Sequence, residues 1–399
     1  MKKITCLFVF LLTYGAVFGQ IFTPQTSGTT ETLSSIQFAS DDIGYTVGNS
    51  GVILKTVNGG TNWNPQVSGV TTDLGSVKLI DKDTVYSCGR AGVILKTTDG
   101  GSNWKKLNAG VSTDLSRLFI NGKDIYVTGY YGIVLKSSDW GKTWNSLNTG
   151  SNAYLYGVYF YNEQIGYVTG SNGTIIKTTN AGSTWSPLNS STSVSHLFDV
   201  TFTDSLTGYV VGGDATSYDG VILKTTNGGA SWTPKIIKNN FFGTLKFLNK
   251  TVGYVVGGDI GGNTSTILRT NDAGVTWGAE TANSKRQFGS AFPSTKAAYT
   301  CGLNGTILKA TDLLASIFEF AKSNQLVVYP NPTTGKFNIA YDQDVFQKPM
   351  NVAIYNVTGD LIYEQSSISE MDLSDFPKGI YYIKLFNDTE AYSKSVLVQ

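Results

Sequence analysis

Between residues 33 and 311 the chain repeats one pattern of short apolar runs broken by Gly, Asn, Asp and Ser, at a spacing of about 40–47 residues. Each unit opens on a Leu- or Phe-led run: Leu33 to Phe38, Leu74 to Leu79, Leu115 to Ile120, Leu155 to Phe160, Leu197 to Phe202, Phe242 to Phe247 and Phe288 to Phe292. A second run carries Tyr-x-x-Gly, starting at Tyr45, Tyr86, Tyr126, Tyr167, Tyr209, Tyr254 and Tyr299. A third ends in a basic residue, at Lys55, Lys96, Lys136, Lys177, Lys224, Arg269 and Lys309. Runs this short, bounded by turn residues, read as strands. With a fourth strand after each turn, the repeats predict an all-β, seven-bladed β-propeller. A cation recurring once per blade is expected to point to solvent or to pair locally.

After the third strand comes Ser/Thr-x-Asp/Asn-x-Gly-x-x-Trp. Its acid or amide and its Trp fall at Asn58 and Trp63, Asp99 and Trp104, Asp139 and Trp144, Asn180 and Trp185, Asn227 and Trp232, and Asp272 and Trp277. Asp or Asn bonds nearby backbone amides, Gly accepts a left-handed conformation, and Trp packs between sheets, so the six copies read as structural hairpin staples. The seventh unit lacks the turn, since Thr311-Asp312 is followed by Leu313 and Leu314. Phe22-Thr23-Pro24-Gln25-Thr26-Ser27-Gly28 lines up with Trp63-Asn64-Pro65-Gln66-Val67-Ser68-Gly69, so the N-terminal strand is expected to close the last blade.

The turn resembles the Asp-box, or BNR, repeat of sialidases and other secreted propellers. The Tyr-x-x-Gly, Ile-Leu-Lys-Thr and Gly-Gly-x-x-Trp series is similar to the photosystem II assembly/stability factor family, from about Phe22 to Asp312. That resemblance implies the propeller and not a photosystem partner.

The period fails after residue 312, where 313–325 read as a linker and 326–399 as a small β-sandwich. Tyr329-Pro330-Asn331-Pro332-x-x-Gly335, Tyr355-Asn356-x-x-Gly359 and Gly379-Ile380-Tyr381-Tyr382-Ile383 mark its strands and turns. Their order and place resemble the type A sorting domain of the type IX secretion system. This implies a Bacteroidetes-type source, the type IX secretion machinery as partner, and export across both membranes to a surface-attached or released state. At the other end, Lys2 and Lys3, the apolar run Ile4 to Leu12, and Val17 and Gly19 before Gln20 read as a signal peptide, residues 1–19. No later stretch reaches the ~18 apolar residues that a membrane helix needs.

Composition narrows the chemistry. The formal net charge of +1 argues against nucleic acid as a partner. Cys88 and Cys301 occupy one repeat position in two blades and read as small buried residues rather than a disulfide or metal ligands. His196 has no nucleophile beside it. The chain has four arginines, Arg90, Arg117, Arg269 and Arg286, of which Arg269 replaces the repeat lysine, and this does not make a sialidase-type arginine cluster. Among the inner strands the visible acid is Asp199. No catalytic constellation, cofactor or metal site is read from the sequence.

Binding is the preferred reading, because loops between second and third strands and between blades share one rigid face and are where the repeats differ. There the candidate ligand-binding residues are Tyr130, Tyr131, Tyr154, Asp214, Tyr218, Asp219, Asp259 and Asn263, for an unknown surface protein or glycan. Asp214, Asp219 and Asp259 also have the oxygen chemistry of a Ca²⁺ ligand, and Trp140 lies in an opposite-face turn. The alternative is a secreted polysaccharide hydrolase or lyase, marked by a carboxylate pair at the channel mouth.

Overall fold

A computed structural model describes residues 21–192, 195–294, 297–311, 326–341, 351–356, 360–365, 371–386 and 391–399. The expected signal peptide and linker lie outside these residues. Two compact units divide at Leu313/Leu314.

The first unit contains seven sheets, antiparallel but for one two-residue parallel pairing in the seventh. Blade one comprises Leu33–Phe38, Gly44–Gly48, Ile53–Thr56 and Asn64–Gln66, from inner to outer strand. Five further sheets repeat that order, with inner strands Leu74–Leu79, Leu115–Asn121, Leu155–Phe160, His196–Phe202 and Phe241–Phe247. The seventh inner strand is Gln287–Ser294. Neighbouring inner strands pack in chain order, and the seventh packs against the first.

The seventh sheet takes its outer strand from the opposite end of the chain. Ile21–Gln25 pairs antiparallel with Ile307–Thr311, with Thr23 opposite Lys309 and Gln25 opposite Ile307. Its free edge is covered in turn by Thr281–Ala282, which pairs with it in parallel, so this sheet has five strands. Phe22 is buried there.

The six turns share one hydrogen-bond pattern. In blade three, Ser137 Oγ donates to Asp139 Oδ1 at 2.8 Å and accepts from Gly141 N at 2.8 Å, while Asp139 Oδ1 accepts from Thr143 N at 2.9 Å. Thr56/Asn58, Thr97/Asp99, Thr178/Asn180, Thr225/Asn227 and Thr270/Asp272 do the same. The residue after the Asp or Asn is left-handed in every copy; at Trp140, with φ of 63°, the position is held by a side chain 40% exposed. These turns also join blades. Tyr86 Oη and Lys96 Nζ both donate to the Trp140 carbonyl of the next blade, at 2.9 and 3.2 Å. The pairs Tyr126/Lys136 on Ala181, Tyr167/Lys177 on Gly228, Tyr209/Lys224 on Ala273 and Tyr299/Lys309 on Gly59 repeat this.

The repeat cations do more than point to solvent or pair locally: each lies 5.1–5.8 Å from the centroid of its own blade's Tyr ring, the lysines reach the following blade, and Lys136 also pairs within its blade with Asp124 at 2.7 Å. The half-buried carbonyl needs a donor, and the position opposite Tyr in the ladder aims the amine at it. Aromatic rings fill the same joints. Phe38 stacks on Tyr299 at 4.1 Å and meets Trp63 edge-on at 5.9 Å, and Tyr126/Phe160/Trp185, Tyr167/Phe202/Trp232 and Tyr209/Phe247/Trp277 follow suit.

The joint between blades six and seven differs because blade seven has no such turn. Tyr254 Oη has no hydrogen-bond partner among the described residues, and the buried Arg269 faces Glu280 at 3.9 Å. Cys88 and Cys301 are buried free thiols, and burial pushes Cys301 up to about 12.

The second unit packs a sheet of Leu326–Tyr329, Lys336–Tyr341 and Met371–Asp372 against one of Leu361–Gln365, Asn351–Tyr355, Gly379–Phe386 and Ala391–Val398. Val328, Phe337, Val352, Ile354, Ile383 and Leu385 are among its core residues. Asn331 binds the last strand, accepting from Leu397 N at 3.0 Å and donating to Ser395 O at 3.0 Å. Gly335, at φ of 129°, has Ser374 where a Cβ would stand, and the buried Tyr381 donates to Pro377 O at 2.6 Å. Tyr329 is half exposed and Pro330, Pro332 and Gly379 lie in or beside exposed turns; Gly359 lies outside the described residues.

Candidate ligand-binding face

Every inner strand of the propeller carries a bulge near its start, which leaves one residue out of the ladder: Ser34, Gly75, Ser116, Tyr156, Phe198, Gly243 and Phe288. Bulges re-aim side chains. Here they turn one residue per blade toward its neighbour around the axis, on the side of the interblade loops. Blades four, five and seven place aromatics at this position, where blades one to three and six have Ser or Gly.

Loop tyrosines continue the series. Tyr130 N donates to Asp114 O at 3.0 Å and Gly132 N to Ala153 O at 2.8 Å, which pins the blade-three loop between the two interblade loops beside it. Tyr131 meets Tyr154 edge-on at 5.4 Å, and Tyr154 stacks on Tyr130 at 4.3 Å. Tyr130 meets Tyr156 at 6.4 Å, Tyr156 meets Phe198 at 5.0 Å, and Phe198 meets Phe241 at 5.2 Å. Arg286 then lies 5.8 Å from the Phe241 centroid and 5.1 Å from that of Phe288. The result is an aromatic belt across blades three to seven. Its outer end is open, with Tyr131 65% and Tyr154 37% exposed, while Tyr130, Tyr156, Phe198, Phe241 and Phe288 are half-buried.

His196 sits in the belt, its Nδ1 3.2 Å from Tyr156 Oη. Burial lowers the His196 pKa against the pull of Asp214, and burial with Tyr130 and Tyr154 pushes Tyr156 up to about 12. At neutral pH the pair is thus an uncharged imidazole beside an uncharged phenol.

The acids expected at this face hold their own loops. Asp214 accepts from Ser217 N, Thr216 N, Ser195 N and Ser195 Oγ at 2.7–3.1 Å, and these bonds hold its carboxyl down to about 2. Asp219 is buried against Lys238 Nζ at 2.6 Å and Asn239 N. Asp259 accepts from Thr264 N and Thr264 Oγ1, and its carbonyl from Arg286. Asn263 Oδ1 accepts from Lys285 at 3.3 Å, and Tyr218 is half exposed. Among the described residues no group of three His, Cys, Asp or Glu is placed to hold a metal.

Of the residues singled out in the sequence, the structure brings Tyr130, Tyr131 and Tyr154 together and leaves the acids in turns. Tyr156, His196, Phe198, Phe241, Arg286 and Phe288 escaped as members of the site. The signal was an aromatic in blades four, five and seven at the second position of an otherwise Ser- or Gly-bearing strand.

The architecture defines the class: a seven-bladed propeller with Asp-box turns, joined to a C-terminal sorting sandwich. Residues 20–111 match the family described as "Photosynthesis system II assembly factor YCF48", and residues 327–399 match "Secretion system C-terminal sorting domain". The second match marks the chain for secretion or the cell surface. Among the described residues no helix is long and apolar enough to cross a membrane.

Among solved structures, YCF48 bound to D1 peptide aligns with a TM-score of 0.60 and 17% identity over 75% of this chain and 99% of that one. The GH74 xyloglucanase from Xanthomonas campestris aligns at 0.58 and 12% identity, over 73% and 54%. These likenesses show the propeller fold. The chain is also 38% identical to the ulvan lyase NLR42 of Nonlabens ulvanivorans over 76 residues, 18% of this chain, and spans 14% of that lyase's length.

Proposed function

We propose that this protein is an exported, non-enzymatic polysaccharide-binding propeller, carried across both membranes by its sorting domain and working at the cell surface or in the medium. The observation that supports it is the belt from Tyr131 to Phe288, open at its outer end. Sugar rings have apolar C–H patches that lie on aromatic faces, while their hydroxyls need directional partners, and Tyr hydroxyls, His196 and Arg286 interleave with the rings. The rings are pre-ordered by loop hydrogen bonds and bulges, so little side-chain entropy is lost on binding.

The test is a binding screen of the full chain against soluble polysaccharides, with Tyr131→Ala/Tyr154→Ala as the variant. Saturable binding that weakens at least about tenfold in the variant, or about 1.4 kcal/mol, without product formation, is the expected result. Binding unchanged by the variant refutes the belt, and a parallel pull-down from a cell-surface extract that retains a protein while no polysaccharide binds moves the ligand class to protein.

A second reading, a lyase or hydrolase, is favoured by the Tyr156 Oη to His196 Nδ1 contact at 3.2 Å, a proton-transfer pair within reach of a belt ligand. Release of unsaturated or reducing ends, abolished in Tyr156→Phe, would replace the binding reading with this one.

A further inference from the structure

Beyond the belt, all seven inner strands converge on an axial cavity of about 120 Å³. That is several times the roughly 10–15 Å³ one water needs. Its wall carries Lys78 from blade two, Arg117 from blade three and Lys246 from blade six, and one carboxylate, Asp199 from blade five. The remaining lining is uncharged and includes Gln37, Tyr159, Thr201, Thr244 and Ser290.

The lone acid does not neutralise the cations. Asp199 Oδ2 accepts from Thr244 Oγ1 at 2.9 Å and Leu245 N at 3.2 Å, and Oδ1 from Val200 N at 3.1 Å. Arg117 spans the axis, reaching the carbonyls of Phe198 and Gly243 at 3.4 Å each, contacts long enough to be readily exchanged for better acceptors. Neither Lys78 nor Lys246 makes a hydrogen bond or ion pair among the described residues. Lys78 and Arg117 are half-buried and Lys246 is exposed; like charges that line one cavity repel, most strongly where burial lowers the dielectric, and an anion among them turns that repulsion into attraction.

We propose that the axial cavity is an oxyanion site, in which Lys78, Arg117 and Lys246 together hold one sulfate, phosphate or carboxylate group. Enclosure and the neighbouring Arg117 and Lys246 depress the Lys78 amine to about 8, with Asp199 opposing, which is the state of a lysine short of a counter-ion. The ligand is either a free small oxyanion or a carboxylate presented by a peptide partner.

The experiment titrates the full chain with sodium sulfate, against sodium chloride at equal ionic strength, while following the melting temperature and the Lys78 amine by NMR. Sulfate keeps its charge between pH 6 and 9, so the pH dependence reports the protein. A saturable rise in melting temperature of several degrees is expected, with an upward shift of the Lys78 pKa and weakening of binding as pH rises past about 8. In Lys78→Met the dependence should disappear while the sulfate-free melting temperature rises, since a repelled cation is gone; Lys246→Gln should weaken binding at least about fivefold. A short acidic peptide that competes with sulfate identifies the presented carboxylate as the source, and failure to compete identifies the free ion. Equal response to sulfate and chloride, or a Lys78 resonance indifferent to sulfate, overturns the site.

Discussion

Tyr167 and Tyr254 occupy the same repeat position, are fully buried, and differ in one bond. Tyr167 Oη donates to Gly228 O at 2.9 Å, and Tyr254 Oη has no hydrogen-bond partner among the described residues. Tyr167→Phe is expected to cost about 1 kcal/mol, since Lys177 remains on that carbonyl at 2.9 Å and limits the loss. Tyr254→Phe should be neutral or stabilising, because it removes a buried hydroxyl that nothing satisfies. Urea unfolding of the two variants checks the pair. At this scale the Asp-box residues were legible because six copies fix their register. The lysine's reach into the next blade was not, since a carbonyl acceptor leaves no residue identity behind. Arg269 did carry a trace of its joint: the one copy that departs from lysine faces the one blade without a turn.

At the scale of the element, the turn is a pH-dependent staple in three of six copies. Hydrogen bonds from Thr143 and Ser137 hold Asp139 down to about 2, and those from Asn103 and Thr97 do the same for Asp99. A depressed carboxyl stabilises above its unfolded value near 4 and loses that contribution as pH falls through its folded value. Stability should therefore hold to about pH 4 and decline between pH 4 and 2, and Asp139→Asn should flatten the decline, as followed by denaturant midpoints at pH 5, 3 and 2. The Asn58, Asn180 and Asn227 turns make the same bonds without titrating. Strand runs were readable from period alone. The belt was not, because a bulge reverses the in–out alternation at one residue, so Tyr156 and Phe198 pass for ordinary inner-strand variation.

Across the whole molecule, the alignment of Phe22-Thr23-Pro24-Gln25 with a blade's outer strand anticipated the pairing of Ile21–Gln25 with Ile307–Thr311. What it missed is the cover strand Thr281–Ala282, two residues too short to register as a run. Phe22→Ala is expected to cost about 3 kcal/mol, the range for a buried aromatic, while the solvent-facing Thr23→Ala stays within about 0.5 kcal/mol. Differential scanning calorimetry of the full-length variants decides whether that strand carries this weight. The pairing also sets an order of events. Thr23 Oγ1 donates to Lys309 O across 286 positions, among the most distant contacts in the propeller, and loop-closure entropy makes such contacts late. Blade seven cannot be completed until the chain has been made, or passed through a pore, as far as Thr311. The N-terminal segment meanwhile remains an unsatisfied strand, and the last blade is assembled from the first and last pieces of the propeller to become available.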